Sequence, residues 1–334
     1  MNRVWAPNLW AFLALLFLAV PTPGAVGDTS LSLPKTELYG RSQVSLQSWA
    51  ATKRLGVKWN KASGAVYLTN AATRLMFTVD SRRAEFNGTR FWLTSPITPH
   101  RDGLVVSSTD VDLTLAPLLR PPKLKRGAAI RTIVLDPGHG GKDPGFLTGR
   151  EQEKKHTLLL SKKVETRLRA AGFRVVTTRS VDEFVELTDR TRISRKAKGD
   201  LFISLHYNAS DTSRGAVKGA ETYCLTPKGA ASTNARGDEG PQNVYAGHWY
   251  AQQNMMLAYQ IQRAITKGVD IDDRGVKRAR YQVLQNPGCP AVLIEGGFLS
   301  DPGELKAINS DTRRDQMARA IVDGVQAYKR LVER

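Results

Sequence analysis

The chain has 334 residues, with 49 Lys and Arg against 31 Asp and Glu for a formal charge of +18, and only two cysteines. A charge balance of that sign favours anionic partners, while two cysteines exclude a disulfide-stapled scaffold. The basic residues are scattered over both halves with no aromatic-basic reading motif, which argues against nucleic acid as the partner.

Residues 1–27 carry Arg3 as their single charge, then an apolar run from Leu9 to Val20, then small residues ending Ala25-Val26-Gly27. This is a secretory signal pattern with cleavage expected after Gly27. The run is short for a membrane span, so the chain is expected to be exported to the periplasm or cell envelope with no stable membrane span after signal removal. For an exported chain, an anionic cell-envelope polymer is then the better partner. About 307 residues remain, which suggests two domains. The break falls at Arg120-Pro121-Pro122-Lys123-Leu124-Lys125-Arg126-Gly127, proline-rich, charged and aperiodic as a linker should be. The expected division is a small domain over 36–119, a linker over 120–129 and a second domain over 130–334.

The first domain reads as small α+β. A helix over 46–54 precedes short β-type runs at 57–59, 65–69, 75–79 and 90–93, and Asn87-Gly88 signals a hairpin between Ala84-Glu85-Phe86 and the last of them. The succession Leu55-Gly56-Val57-Lys58-Trp59, Val66-Tyr67-Leu68-Thr69 and Phe86-Asn87-Gly88 loosely resembles the small domain named after the N-terminal region of copper amine oxidases, over fewer than a hundred residues. No copper site accompanies it, since His100 is its only histidine. A non-catalytic accessory or wall-contact module is expected.

The second domain alternates strand and helix, which argues an α/β fold with a mostly parallel sheet and helices on both faces. Strands are expected over 131–136, 174–178, 201–206, 221–225 and 291–295, and helices over 154–171, 188–198, 253–267 and 312–330. In the last helix Met317, Ile321, Gly324, Val325, Tyr328 and Leu331 keep one face against the sheet, with Arg313, Arg314, Arg319 and Lys329 outward. Cys224 and Cys289 lie in or beside buried strands, and read as two separate apolar side chains in preference to one bridge.

Four polar residues stand apart from these patterns. His139 lies in Asp136-Pro137-Gly138-His139-Gly140-Gly141, a tight loop after the apolar Ile133-Val134-Leu135, at the carboxyl edge where open α/β sheets bind ligands. Glu153 precedes Leu160 by two helical turns and so points inward, where a carboxylate needs a positive partner. His206 closes Leu201-Phe202-Ile203-Ser204-Leu205, and Glu295 closes Ala291-Val292-Leu293-Ile294 before two glycines. Two histidines and one carboxylate with an open fourth position are the arrangement of catalytic zinc, and a second acid can handle the proton of the attacking water.

These motifs, with Glu153-Lys154, Phe202-Ile203-Ser204-Leu205-His206-Tyr207-Asn208-Ala209, Gly219-Ala220-Glu221-Thr222-Tyr223, Asp273-Arg274-Gly275-Val276-Lys277 and Glu295-Gly296-Gly297-Phe298-Leu299-Ser300, resemble the zinc-dependent N-acetylmuramoyl-L-alanine amidases, the type-3 family of the bacterial cell wall. The resemblance runs in order from about Ile130 to Tyr328. It implies one Zn2+ held by His139, Glu153 and His206, Glu295 as the catalytic acid, and Asn208, Arg274 and Lys277 as substrate-binding residues. The implied substrate is peptidoglycan, cut between the lactyl group of muramic acid and L-alanine, with an activator protein as a further partner in some relatives. A catalytically inactive wall-binding or activator protein on the same fold is the alternative, but it would lack a ligand or Glu295. Two departures, Tyr207 for a common alanine and Asp301 for a common asparagine, remove no ligand. The stretch from Thr226 to Gln252 reads as a surface loop lining the groove, not a plug, with His248 facing solvent.

Overall fold

The computed structural model describes residues 33–38, 40–101, 103–210, 217–235 and 242–333, together with Met1, Gly215 and Gly240. Apart from Met1, the segment read as a signal lies outside the described residues. No helix among them is long and apolar enough to cross a membrane.

The N-terminal half contributes β1 (Lys35–Leu38), β2 (Arg41–Ser45), α1 (Leu46–Thr52), β3 (Gly56–Asn60), β4 (Ala65–Thr69), β5 (Arg74–Thr78) and β6 (Arg83–Phe86). It continues with β7 (Thr89–Trp92), β8 (Thr98–His100), β9 (Gly103–Ser107), then α2 (Ser108–Asp110), a π-helical turn over Val111–Leu115 and α3 (Ala116–Leu119). Ser45 Oγ accepts from Ser48 N at 3.2 Å and starts α1, whose Leu46, Trp49 and Ala50 are buried. Alternation explains the meander: Val66, Leu68, Leu75, Phe77, Ala84, Phe86 and Phe91 all face inward. The expected hairpin turn is present, with Asn87 at φ 46° and Gly88 at φ 83°, the left-handed pair that a two-residue turn requires.

The C-terminal half runs β10 (Thr132–Pro137), the short hairpin strands β11 (Leu147–Thr148) and β12 (Glu151–Gln152), α4 (Glu153–Ala170), β13 (Arg174–Thr177), α5 (Leu187–Lys196) and β14 (Leu201–Asn208). Then come β15 (Ala220–Leu225), α6 (Ala251–Gly268), β16 (Asp273–Ala279), α7 (Gln282–Gln285), β17 (Ala291–Phe298), α8 (Pro302–Asn309) and α9 (Asp311–Val332). Strands β13, β10, β14 and β17 are parallel neighbours, β15 is antiparallel to β17, and β16 is parallel to β15. The sheet is therefore mixed but mostly parallel. Side-chain alternation divides its faces: Ile133 and Leu135 join the core filled by Leu160 and Val164 of α4, Ile261 of α6 and Ile321 of α9, whereas Val134 joins Phe202, Leu293 and the α7 residues Val283 and Leu284. Helices thus cover both faces, as expected.

Strand β16 and helix α8 are absent from the sequence reading. The former spells Asp-Arg-Gly-Val-Lys-Arg-Ala, with a single large apolar residue, because its buried Lys277 and Arg278 are held by polar partners instead of apolar packing. Arg314, expected outward, is buried at the base of α9, where its guanidinium donates to Ile308 O at 3.2 Å. Cys224 and Cys289 are both free and buried.

From Leu33 onward the chain packs as one compact unit. Strand β7 pairs with β16 at Phe91 and Val276, so one eleven-stranded sheet, ordered β13-β10-β14-β17-β15-β16-β7-β6-β5-β4-β3, crosses both halves. The segment read as a linker is tied to the end of α9: Leu124 N donates to Val332 O at 2.8 Å and Lys123 Nζ to Leu331 O at 2.6 Å.

Candidate active site

Four expected site residues converge at the carboxyl edge of the central strands. His139 lies two residues beyond β10, on a loop where His139, Gly140 and Gly141 take φ of 61°, 127° and 55°. A left-handed histidine costs backbone energy and persists only where its surroundings enforce it. Here two buried arginines do so by collecting the loop's carbonyls. Arg179 donates to Pro137 O at 3.0 Å and Gly138 O at 2.8 Å. Arg190 donates to Pro137 O and His139 O, each at 2.8 Å, and pairs with the buried Asp136 at 2.7 Å. Neither arginine was singled out from the sequence; the only hint was their place on either side of the β13–α5 connection, after a strand end and on a helix.

Glu153 is the first residue of α4 and points inward as expected. Its Oε2 lies 3.0 Å from His139 Nε2 and its Oε1 2.9 Å from His206 Nδ1. Burial pushes the Glu153 carboxyl upward, but hydrogen bonds and charge from His139 and His206 outweigh it and hold the group far below the usual carboxylate range. Strands β14 and β17 run on past His206 and Glu295, which are direct neighbours in register, so both residues project from paired strands and not from strand termini. Glu295 and Glu221 are likewise paired across β17 and β15. One row on one face therefore reads His206, Glu295, Glu221.

The donor set fits one metal ion. One ligand atom from each of His139, Glu153 and His206 lies within 4.8 Å of the others, and the two imidazole centroids are 4.9 Å apart at 79°. Glycines clear the space: a Cβ on Gly138 would stand 2.2 Å from His206 Cε1, and one on Gly145 2.6 Å from Glu153 Oε2. Asp143, missed in the sequence, receives the Nδ1 proton of His139 at 2.8 Å and leaves Nε2 with its lone pair toward the cluster. Its signal was only a spacing of four residues on the same glycine-rich loop.

Glu295 is not part of the trio. It is 8% exposed, and its Oε2 is buried without a hydrogen-bond partner. Burial, then the negative charges of Glu153 and Glu221, raise its pKa well above an ordinary glutamate's, against the pull of Lys277. Asn208, Arg274 and Lys277 meet one another on Glu221: Lys277 Nζ donates to Oε1 at 2.6 Å, Asn208 Nδ2 to Oε2 at 3.2 Å, and Arg274 Nε also contacts Oε1. Tyr223 OH completes the set at 2.6 Å. The structure thus assigns their visible contacts to a buried carboxylate beside Glu295, whose organising place the sequence did not disclose.

One peripheral expectation changes, the solvent-facing His248. Glu151 binds Lys155 at 2.9 Å and the buried His156 at 2.8 Å. His248 is half-buried: Nδ1 accepts from Tyr245 N at 3.2 Å and Nε2 donates to Thr226 O at 3.0 Å, so it caps the turn over Ala246–Tyr250. Asp301 caps α8 by accepting from Glu304 N at 2.8 Å, a task an aspartate does as well as an asparagine.

An α/β sheet carrying a two-histidine, one-carboxylate cluster and a separate buried acid at its edge defines a class of protein built for single-metal hydrolysis. Comparison with known proteins narrows it. The family model described as N-acetylmuramoyl-L-alanine amidase matches residues 133–327. The N-acetylmuramoyl-L-alanine amidase AmiA of Escherichia coli (strain K12) is 32% identical over 230 residues, covering 62% of this chain and 79% of that protein. LytC of Bacillus subtilis (strain 168) is 33% identical over 208 residues, covering 62% of this chain and 37% of that one. A solved amidase from Clostridium difficile 630 is 30% identical, covers 60% of this chain and 97% of its own, and superimposes with a TM-score of 0.50. The chain belongs to the N-acetylmuramoyl-L-alanine amidase family. It spans 37% of LytC and 58% of the probable cell wall amidase LytH of Staphylococcus epidermidis, so each of those proteins contains more than the shared region.

Proposed function

We propose that this protein is an exported, zinc-dependent N-acetylmuramoyl-L-alanine amidase that cleaves the amide between the lactyl group of muramic acid and L-alanine in peptidoglycan. The observation that carries the reading is the cluster of His139, Glu153 and His206 within 4.8 Å beside a buried, unpartnered Glu295 oxygen. Zinc held by those three residues supplies Lewis-acid chemistry at neutral pH.

The chain's own residues do the rest. Asp143 and Glu153 hold the two imidazoles in place. Glu295 Oε2, free of any competing donor, takes the proton of the attacking water as its oxygen bonds to the carbonyl carbon. The same carboxyl then gives that proton to the L-alanine nitrogen as the C–N bond breaks, so the peptide leaves with a free amine and the glycan keeps a lactyl carboxylate. Burial, Glu153 and Glu221 raise the proton affinity of Glu295, and Lys277, paired with Glu221, tempers that rise.

Export and a place in the cell envelope rest on the signal-like residues 1–27 and on the +18 charge. A small domain over 36–119 and a catalytic domain over 130–334, joined by one sheet, are part of the same reading. A protein partner is a further part of the reading: a solved relative, the CwlD amidase from Clostridioides difficile, is in complex with the GerS lipoprotein, and an activator of similar standing is proposed here. The inactive-protein alternative has no support in the site, which keeps all four residues.

Two variants test the assignment. His206→Ala should lose bound zinc and all measurable cleavage of soluble muropeptides, since two ligands do not maintain the site. Glu295→Gln should keep zinc and lose about two to four orders of magnitude in kcat. Full zinc occupancy in the first, or near-normal turnover in the second, contradicts the proposal.

A further inference from the structure

The family match begins at residue 133 and leaves the N-terminal half without a role. Its contacts with β16 are not those of a tethered accessory. Arg90 N donates to Asp273 Oδ2 at 2.8 Å, and the indole Nε1 of Trp92 donates to Arg274 O at 3.0 Å. Gly275 takes φ 89°, and a Cβ there would lie 2.9 Å from the Arg90 carbonyl carbon, so the two backbones approach as only glycine permits. Phe91 pairs with Val276, and Arg278 Nη2 reaches Leu113 O and Thr114 Oγ1, each at 2.9 Å.

These ties hold one side of β16 while its other side serves the site. Arg274 and Lys277 extend from it to Glu221, and the Arg274 guanidinium also lies 5.1 Å from the ring centroid of Phe298, three residues past Glu295. A charged strand left at a sheet edge has few apolar contacts and opens locally at low cost. Long cationic side chains springing from a mobile backbone lose much of their reach and direction. Binding the Arg274 carbonyl and the flanking Asp273 carboxylate removes that freedom.

We infer that Trp92 and Arg90 are positioning residues for the amidase reaction: through the backbone of Asp273 to Gly275 they aim Arg274 at Glu221, and the N-terminal half thereby braces the strand behind the active site. The inference rests on the amidase reading above. It assigns these residues no contact with substrate; they act through Arg274.

The test is a double-mutant cycle on soluble muropeptides with full-length, zinc-loaded protein. Trp92→Phe removes one donor and keeps a ring, and should lower kcat/KM by about three- to tenfold, the worth of one hydrogen bond. Zinc content should be unchanged. In the Arg274→Ala background the same change should have no effect, because the path runs through that side chain. Hydrogen exchange gives the independent readout: Trp92→Phe should speed exchange in a peptide over 273–279 and leave one over 291–298 unaltered. If Trp92→Phe does not fold, Trp92→Leu, which also removes the indole donor to Arg274 O, tests the same link with the same expectations. Multiplicative effects in an active enzyme, or unchanged exchange over 273–279, overturn this inference alone. A wild-type chain that leaves muropeptides intact sinks the amidase reading and this inference with it.

Discussion

At the scale of single residues, the candidate metal site depends on what holds His139, Glu153 and His206 as much as on those three side chains. His139 is held by Arg190 at its carbonyl and by Asp143 at Nδ1, and its Nε2 faces Glu153 at 3.0 Å. Burial works against a charged imidazole here, yet Glu153 and Asp143 together carry the His139 pKa above its ordinary value. A ring that its neighbours stabilise in this way is a stronger base and a better ligand. Asp143→Asn should therefore weaken zinc binding by about 10- to 100-fold, measured by competition against a chromogenic chelator. Unchanged affinity would show that the loop backbone alone orients the ring. His139, Glu153, His206 and Glu295 stood out because each interrupts an apolar pattern, His139 in the loop after a strand, Glu153 at a helix start, and His206 and Glu295 within strands that run on past them. Asp143, Arg179, Arg190 and Glu221 were not, because an acid on a polar loop or an arginine on a helix looks the same in sequence whether it faces water or a buried carbonyl.

At the scale of elements, the strand-loop-helix unit from β10 to α4 depends on a buried ion pair. Asp136 is fully buried and accepts from Arg190 Nη1 at 2.7 Å, Thr178 Oγ1 at 2.6 Å and Ser204 Oγ at 2.8 Å, which joins three neighbouring strands to α5. Removing one partner of such a pair leaves a stranded charge and costs about 3–5 kcal/mol. Arg190→Met should lower stability by that amount in urea denaturation, and should also free the His139 carbonyl. A change below about 1 kcal/mol would mean that solvent reaches Asp136 and the pair acts like a surface one. The central strands β10, β14 and β17 were readable from sequence because they are buried on both faces and mostly apolar. Strand β16 was not, since its neighbours satisfy charged side chains and its pattern resembles a loop. The N-terminal hairpins were partly readable from Asn87-Gly88, but the β1-β2-β9-β8 sheet was missed for want of clear alternation in strands of three to five residues.

At the scale of the whole molecule, the sequence suggests two bodies on a linker, and the structure has one sheet passing through both. A composition break marks where the chain leaves one set of elements for another; it carries no information on whether their sheets join, because that depends on pairing remote in sequence. The solved Clostridium difficile relative is 97% covered by a match to 60% of this chain, so a catalytic region of that kind stands without this N-terminal half. Here the half is built onto β16 and shares one buried apolar core with α6 and α9. With residues 1–27 and their Arg3 removed on export, the formal charge would be +17 (48 basic against 31 acidic residues), and it acts at longer range. Binding to the anionic wall should weaken as salt shortens the Debye length from about 10 Å at 0.1 M to about 3 Å at 1 M, as co-sedimentation with purified sacculi would measure. Salt-independent binding would assign retention to specific contacts instead. The most direct test of the central claim is mass spectrometry of purified peptidoglycan after digestion by the zinc-loaded protein. The account predicts released stem peptides with free L-alanine N-termini and glycan strands of unchanged length bearing intact lactyl groups. New reducing ends, cleavage between amino acids of the stem, or loss of acetyl groups with the peptides still attached would contradict it.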